Sequence, residues 1–433
     1  MKHWFKDQHF RSLLKNSGYL AASRAVAAIC SLATLAFAGR DLGVLLFGTL
    51  ILITSYTRAA SGIAKFQSWQ LIVRYGSQGL AAGKPEQFKS STGFAAALDV
   101  SSGLAGMLVA VALLPLLAGF VGIERQYWWL AMAYCALLPT MGAASPNGVL
   151  RALDRFDLIS WSGTLTPISR AILAGIAFSQ GADLTVYVAI WFVTDLAGDM
   201  YQWFLAWREL RRHDLHVGIR PTLKPTDLPG AWKFAIHINL AVGVATVWGP
   251  IARLAVGGLL GPAGAALFRV ASTLADSAQK PADLLAKAFY PEIVRMDLSS
   301  KKPWRLMLRS AALATVIAAV AVLALVAGGR PLIGGLFGKD FLGAYEPLLV
   351  LMAVPLLAVI SFPLVPMLYA LGKSGGPLTA KLVGSAVFFV SLAPLCWKFG
   401  VIGAAVSFVI GSATNVLVLL VQLRREHQRV RAR

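Results

Sequence analysis

Charge is scarce in this chain, and cysteine is scarcer still. Only 14% of its 433 residues are Asp, Glu, Lys or Arg, whereas 57% are hydrophobic. The mean hydropathy is +0.67. Soluble domains carry about 25% charged residues, because polar groups must cover the apolar core. The composition therefore excludes an ordinary soluble protein and indicates an integral membrane protein.

Residue patterns for metal, nucleotide or catalytic chemistry are also missing. The three cysteines lie in separate apolar stretches and suggest neither a disulfide framework nor a metal site: Cys30, Cys135 and Cys396. The six histidines form no HExxH pattern, and Gly372-Lys373-Ser374 lacks the upstream glycine of a phosphate-binding loop because Met367 occupies that position. The external loops are too short for a catalytic domain. We therefore expect no enzyme, no metal and no bound cofactor.

Apolar runs of about 20 residues follow one another along the chain, and this length crosses hydrocarbon as a helix. We predict twelve spans, at residues 18–38, 42–63, 93–119, 127–148, 158–179, 183–205, 232–255, 261–286, 306–328, 345–370, 377–397 and 400–422. Very short connections, such as 39–41, alternate with basic ones, such as 208–224. This pattern predicts an all-α integral membrane fold with twelve transmembrane helices.

The distribution of Lys and Arg predicts the orientation, because basic loops stay on the cytoplasmic side. The basic segment 1–17 has no cleavage site after it, so we expect an uncleaved cytoplasmic N-terminus. The basic residues predicted outside are few: Arg40, Arg125, Arg330, Lys339 and Lys398. Both termini are thus predicted to be cytoplasmic. Anionic lipid headgroups, and not nucleic acid, account for the net charge of +20.

A weak internal repeat divides the chain near its middle. Leu42-Gly43, followed by Phe47-Gly48, has a counterpart in Leu260-Gly261, followed by Phe268-Arg269. This duplication predicts two parallel six-helix lobes around a central cavity. The predicted parts are a cytoplasmic N-terminus 1–17, an N-lobe 18–205, a cytoplasmic linker 206–230, a C-lobe 231–422 and a cytoplasmic tail 423–433.

Several basic side chains lie inside these apolar spans, where a guanidinium that keeps its proton is costly. Arginine donates paired hydrogen bonds to phosphate groups, so an anionic cargo is the indicated use. The candidate binding residues for a diphosphate are Arg24, Arg58, Arg253, Arg269 and Lys280. Alternatively, the side chains of Arg24 and Lys280 extend to the cytoplasmic membrane interface, and that of Arg253 extends to the outer interface, without binding cargo.

Polar stripes support two of these arginines. At helical spacing, the second span carries Thr54, Ser55, Arg58, Ser61, Gly62 and Lys65. The eighth span carries Arg269, Ser272, Thr273, Asp276, Lys280, Asp283 and Lys287. Lipid exposure of such stripes would cost several kcal/mol per charge, so each must line a cavity or an interface.

Acidic residues inside the spans leave a second role open. Asp99, Asp195, Asp199 and Asp276 are candidates for coupling to a H+ or Na+ gradient, and equally for counter-ions. Arg170 is expected to pair with Asp195 or Asp199 on the following span. Tryptophans near span ends, among them Trp69, are expected in the interfacial belt.

Four segments resemble the Wzx-type polysaccharide flippases, in the superfamily that also holds the MATE exporters and the lipid II flippases. They are Gly39-Arg40-Asp41-Leu42-Gly43 running to Phe47-Gly48; Val73-Arg74-Tyr75-Gly76; Arg151-Ala152-Leu153-Asp154-Arg155-Phe156; and Phe268-Arg269-Val270-Ala271 with Pro281, Leu284-Leu285 and Tyr290-Pro291-Glu292.

The resemblance implies a MATE-like fold and transport by alternating access. The implied cargo is an undecaprenyl-diphosphate-linked oligosaccharide, moved from the inner to the outer leaflet of a bacterial inner membrane for surface polysaccharide synthesis. Family arginines of the cavity match Arg24, Arg58 and Arg269. Expected partners are the lipid-linked substrate, membrane lipids and polysaccharide polymerase or export machinery. An ion-coupled multidrug antiporter and a lipid II flippase stay as alternatives, although the latter carries extra helices not found here.

Overall fold

The computed structural model describes residues 8–225, 227–294, 301–361, 363–371 and 375–431. Within these ranges the regular structure is helical, and no strand occurs. Two compact units divide the chain. Unit 1 comprises the described residues up to Gly43 with Ile53–Gly119 and Glu124–Ile251. Unit 2 comprises Val44–Leu52, Phe120–Ile123 and the described residues from Ala252 onward.

Unit 1 contains most of α1 and α2, all of α3 through α6 and the start of α7. These helices are α1 Gln8–Ala64, α2 Pro85–Val121, α3 Trp128–Cys135, α4 Ala144–Ala152, α5 Phe156–Gln180, α6 Leu184–Arg212 and α7 Ala231–Val294. Short helical turns connect α1 to α2 at Trp69–Leu71, Ile72–Gly76 and Ser77–Ala81. A buried cluster that includes Phe88, Ile72, Val149 and Leu205 packs α2, α4 and α6 together.

Unit 2 contains the rest of α7 and the later helices. These are α8 Lys301–Phe337, α9 Tyr345–Leu351, α10 Ala353–Ser361, α11 Leu364–Ala370 and α12 Gly376–Arg431. Val44–Leu52 of α1 packs in this unit. A Cβ on Gly48 would lie 1.9 Å from the carbonyl oxygen of Pro262, so only glycine permits this backbone approach.

Two long helices bend sharply at the glycines that the repeat aligns. Gly43 has φ 66° and ψ 178°, and Gly261 has φ 72° and ψ −176°. This backbone region is essentially restricted to glycine. The predicted connection at 39–41 was wrong, because α1 stays helical there and breaks at Gly43. The matching conformations support the repeat.

The fourth predicted span is broken into α3 and α4 by turns at residues 136–143. Pro139 lacks an N–H for the helix, and Gly142 has φ 82°. Ala143 also has a positive φ, of 34°. Such a conformation is unusual for a residue with a Cβ, so contacts around this break must hold it.

Six helical stretches among the described residues are long and apolar enough to cross a membrane: Ala25–Ala81, Pro85–Val121, Trp248–Gln279, Ala318–Phe337, Lys339–Tyr369 and Gly376–Glu426. Some of these stretches contain two helices joined at a kink. Neither α5 nor α6 is among the six stretches. Both α5 and α6 carry charged residues that pair with each other. The count of twelve spans stays a prediction.

The basic linker packs against unit 1. The indole of Trp232 donates to the Leu223 carbonyl at 2.9 Å, and the Tyr75 hydroxyl donates to the Pro229 carbonyl at 3.1 Å. A Cβ on Gly93 would lie 2.3 Å from the Arg220 carbonyl oxygen. The linker therefore follows the surface of α2 before α7 begins.

Candidate cationic cavity

A cavity of about 440 Å³ opens in unit 1 beside the end of α1. It is lined by Arg58, Ser61, Gly62, Lys65, Phe66, Gln67, Trp69, Met141, Gly142, Ala144, Asn147, Arg151 and Pro250. Three of these side chains are cationic, and none is a carboxylate. The arrangement suits an anionic ligand with polar and aromatic surroundings.

The polar stripe of the second span leads into this cavity. Thr54 and Ser55 are buried at its beginning, whereas Arg58, Ser61, Gly62 and Lys65 line the cavity. Arg58 is exposed, and no carboxylate of the described chain forms an ion pair with it. The prediction that this stripe faces a cavity or an interface is confirmed.

Arg151 reaches the same cavity from α4, where its guanidinium is held from two sides. Its Nε donates to Asn147 Oδ1 at 2.5 Å, and its Cζ lies 4.6 Å from the centre of the Trp69 ring. The indole of Trp69 in turn donates to Gln67 Oε1 at 3.2 Å. A guanidinium fixed in this way is pre-oriented for a ligand, which reduces the entropy lost on binding.

Lys65 is almost fully buried, with 6% of its surface exposed. Its ammonium donates to the carbonyl oxygens of Met141 at 2.5 Å and Pro139 at 3.4 Å. Both carbonyls belong to the break between α3 and α4. Asp99 and Asp199 attract the ammonium electrostatically. Lys65 therefore fixes one side of the break.

Asp99 and Asp199 fix the other side of the break. Asp99 accepts from the Ser145 N–H at 2.8 Å, the Ser145 hydroxyl at 2.5 Å and the Ser68 hydroxyl at 2.5 Å. Asp199 accepts from the Gly142 N–H at 3.2 Å. A carboxylate at the N-terminus of α4 is favoured by the unpaired N–H groups and the helix dipole.

Asp195 pairs with Arg170, as the sequence predicts. The Arg170 guanidinium also donates to Thr194 Oγ1 at 2.9 Å and lies 5.2 Å above the Trp191 ring. Asp195 further accepts from the Tyr134 hydroxyl at 2.7 Å. This ion pair joins α5 to α6 and compensates both charges within the span.

The remaining predicted site residues lie away from this cavity or outside the described residues. The side chains of Arg24 and Lys280 are outside the described part of the chain. Arg253 and Arg269 are partly buried in unit 2, and Asp276 is exposed there. The hydroxyls of Ser272 and Thr273 donate to the Arg269 carbonyl, so part of the second stripe is satisfied by its own helix.

Arg151, Asn147 and Trp69 are among the cavity residues that the sequence patterns did not assign to a site. Trp69 was expected in the interfacial belt, and Arg151 appeared only within a family-like motif. Asn147 and Arg151 are four residues apart and share a helix face, which is the one local signal that links them. Their approach to Trp69 depends on the break of the fourth span.

A second charged cluster lies beyond the predicted ends of the α5 and α6 spans. Arg155 pairs with Asp157 at 2.8 Å and with Glu209, and Arg212 approaches Glu209 at 3.3 Å. The hydrogen bond from Arg155 lowers the pKa of Asp157. Burial opposes ionisation of Glu209, but the hydrogen bonds and charges of Arg155 and Arg212 leave its pKa below the usual value.

Comparison with known proteins gives concordant matches. The family described as polysaccharide biosynthesis protein matches residues 13–297. The inner membrane protein YghQ of Escherichia coli (strain K12) is 38% identical over 348 residues, which cover 80% of this chain and 98% of that protein.

Solved structures show the fold. An inward-facing multidrug resistance MATE transporter of the MOP superfamily has a TM-score of 0.74 at 14% identity, covering 94% of this chain and 95% of that chain. The lipid II flippase MurJ, in an inward closed conformation, has a TM-score of 0.70 at 14% identity, covering 95% and 90%.

These matches confirm the MATE-like all-helical fold and the resemblance to Wzx-type flippases. The matched structures are those of a transporter and a flippase, not of enzymes. The long apolar helices and the inner membrane relative from Escherichia coli indicate a multi-pass inner membrane protein. The chain belongs to the polysaccharide biosynthesis protein family and is a membrane flippase of the Wzx type.

Proposed function

We propose that this flippase moves an undecaprenyl-diphosphate-linked oligosaccharide from the inner to the outer leaflet for the synthesis of a surface polysaccharide. The observation that carries this proposal is the cavity of unit 1, where Arg58, Lys65 and Arg151 converge without a lining carboxylate. A diphosphate carries the charge that such a site requires. Planar guanidinium groups bind its oxygens through paired hydrogen bonds.

The three cationic side chains of the cavity differ in how far protein groups already hold them in place. Lys65 is committed to the carbonyls of Met141 and Pro139, whereas Arg58 is exposed. Arg151 is oriented by Asn147 and Trp69. We therefore assign the direct diphosphate contacts to Arg58 and Arg151.

The aromatic part of the lining supports a sugar beside the diphosphate. Phe66 and Trp69 line the cavity together with the amide side chains of Gln67 and Asn147. Sugars present apolar ring faces and hydroxyl groups, which match aromatic and amide side chains respectively. The cavity volume lies within the range of about 300–1000 Å³ that is typical of small-molecule sites.

Further parts of the proposal concern residues and partners away from this cavity. Arg24, Arg253, Arg269 and Lys280 are proposed as later contacts of the diphosphate during alternating access between two six-helix lobes. Both termini and the basic linker are proposed to be cytoplasmic. Polysaccharide polymerase or export machinery is proposed to receive the product.

Reconstituted transport tests the cargo and the site together. Proteoliposomes containing the full chain are loaded with a fluorescent undecaprenyl-diphosphate oligosaccharide, and its appearance in the opposite leaflet is followed by quenching. We expect Arg58→Ala to lower the rate at least tenfold, which corresponds to the loss of about 1.4 kcal/mol. Arg58→Lys should retain part of the rate, because the charge survives while the bidentate geometry does not.

The matched control is Arg425→Ala, an exposed arginine near the C-terminus, which should transport at the wild-type rate. An Arg58→Ala variant with unchanged transport would contradict the assigned diphosphate contact. Movement of a cationic dye, and not of the lipid, would instead indicate a MATE-type antiporter. Comparison with lipid II as cargo separates the proposed substrate from the peptidoglycan precursor.

A further inference from the structure

The break between α3 and α4 has the composition of a cation site. Its turns present the carbonyl oxygens of Pro139 and Met141, and the carboxylates of Asp99 and Asp199 accept hydrogen bonds from Ser145 and Gly142 at the same break. Small hard cations prefer oxygen ligands of these kinds. In transporters, carbonyls freed where a helix unwinds commonly coordinate a coupling ion such as Na+.

The cation bound at this break is a side chain of the protein itself. The Lys65 ammonium donates to both carbonyls, and 6% of Lys65 is exposed. Burying an ammonium in a membrane protein is costly unless its charge is compensated and its N–H groups are bonded. Asp195 is already paired with Arg170, which leaves Asp99 and Asp199 as the carboxylates acting on Lys65.

We propose that Lys65 is a tethered cation that takes the place of a mobile coupling ion at the break of the fourth span, where it holds α4 in position. This inference goes beyond the proposed cargo, because it concerns the ion requirement of unit 1. The cargo site depends on it in one respect: α4 carries Asn147 and Arg151 into the cavity.

The surrounding geometry explains why a fixed cation is needed here. Lys65 holds two carbonyls of the break, Asp199 holds the Gly142 N–H and Asp99 holds the first turn of α4. Ala143 between them has a left-handed backbone with φ 34° and ψ 49°. Without the ammonium, the Pro139 and Met141 carbonyls would lose their donor next to the buried Asp99 and the partly buried Asp199, and the break would open or recruit another cation.

Two substitutions of Lys65 separate a cation role from simple packing. Lys65→Ala removes the ammonium and leaves room for an ion, whereas Lys65→Met removes the charge and fills the space. Each purified full-length variant is heated in detergent, with Na+ exchanged for choline at constant ionic strength. Lys65→Ala should show a saturable rise in melting temperature of about 2 °C beyond the wild-type response when Na+ exceeds its Kd about tenfold.

Lys65→Met should show only the wild-type response to Na+, as should the exposed control Lys84→Ala. If Lys65→Ala does not fold, Lys65→Ser serves in its place, since it also leaves room and adds a further oxygen ligand. The proposal is overturned if Na+ raises the melting temperatures of Lys65→Ala and Lys65→Ser no more than it raises that of the wild type.

Transport supplies a second readout on the same variants. In choline, Lys65→Ala and Lys65→Met should each lose at least tenfold in rate, and Na+ should restore Lys65→Ala several-fold without restoring Lys65→Met. Arg58→Ala should not respond to Na+, because its side chain serves the ligand. Wild-type transport by Lys65→Met would refute the tethered-cation role. The melting experiment contains no lipid-linked substrate, so its result stands even if the cargo is different.

Discussion

Arg155 shows how single residues stabilise the cytoplasmic ends proposed for α5 and α6. Its guanidinium joins Asp157, in the first turn of α5, to Glu209, in the last turns of α6. The Glu209 side chain is only 1% exposed, so loss of its partner would leave a nearly buried carboxylate. Arg208 and Arg212 approach the same carboxylate, at 3.4 Å and 3.3 Å, and would still compensate part of its charge.

We expect Arg155→Ala to destabilise the protein by about 2 kcal/mol at neutral pH, because hydrogen bonds to charged groups contribute on this scale. Since the folded state lowers the pKa of Asp157 and Glu209, their contribution is complete above the ordinary carboxyl pKa of about 4. It is lost as the pH falls through the lowered pKa values. Melting temperatures from pH 7 to pH 3 should therefore show a gap from wild type that narrows in acid.

The control for Arg155→Ala is Lys89→Ala, which removes a surface ion pair to the exposed Glu86. Such pairs contribute at most about 1 kcal/mol. A gap for Arg155→Ala that stays constant down to pH 3 would show that lost packing, and not the ion pairs, is responsible.

At the scale of the helix, glycine decides where the long helices bend. Gly43 and Gly261 have positive φ with extended ψ, and no atom lies within 4 Å of a Cβ placed on either. Space is thus available, and the requirement for glycine is purely conformational. Alanine at either position should cost about 1–3 kcal/mol through backbone strain alone.

Gly119→Ala is the matched control for Gly43→Ala and Gly261→Ala. Gly119 lies in helical backbone of α2, and its Cβ would also meet nothing within 4 Å. Alanine there should be neutral or stabilise by about 0.5–1 kcal/mol, because helical glycine costs conformational entropy. Thermal unfolding of the three variants side by side measures the difference; equal effects at Gly43 and Gly119 would exclude the strained bend.

The helices also show what the sequence could and could not predict. Three- and four-residue spacing was sufficient to place Arg58, Ser61 and Lys65 on one face, because a straight helix has a fixed period. The break at 136–143 was missed, although Pro139 and Gly142 lie inside the predicted span. Apolar length alone does not report such a break. The pairing of Arg151 with Trp69 depends on that break and was therefore out of reach of spacing rules.

At the scale of the whole molecule, the fold class and the family follow from composition, periodicity and motifs, and the comparisons confirm them. Orientation stays a prediction from the Lys and Arg bias. Lys224, in the linker, and Lys398, two residues before the kink of α12 at Gly400, are both exposed. They are predicted to lie on opposite sides of the membrane.

Cysteine labelling tests this orientation in intact spheroplasts. In a background where Cys30, Cys135 and Cys396 are replaced by serine or alanine, Lys398→Cys should react with a membrane-impermeant maleimide added outside. Lys224→Cys should react only after the membrane is permeabilised. The reverse pattern would invert the proposed topology, and labelling of both from outside would contradict the predicted spans between them.

The contacts of Lys65, Asp99 and Asp199 around the break of the fourth span also affect how the protein enters the membrane during synthesis. Lys65 meets its Met141 partner 76 residues later in the chain, and Ser68 meets Asp99 after 31. Arg170 and Asp195, in contrast, are only 25 residues apart and can enter lipid together as one hairpin. During synthesis, the buried ammonium of Lys65 thus leaves the ribosome long before its ligands exist. We therefore expect the end of the second span to stay at the membrane interface until the fourth span arrives, so that insertion of unit 1 is completed out of chain order.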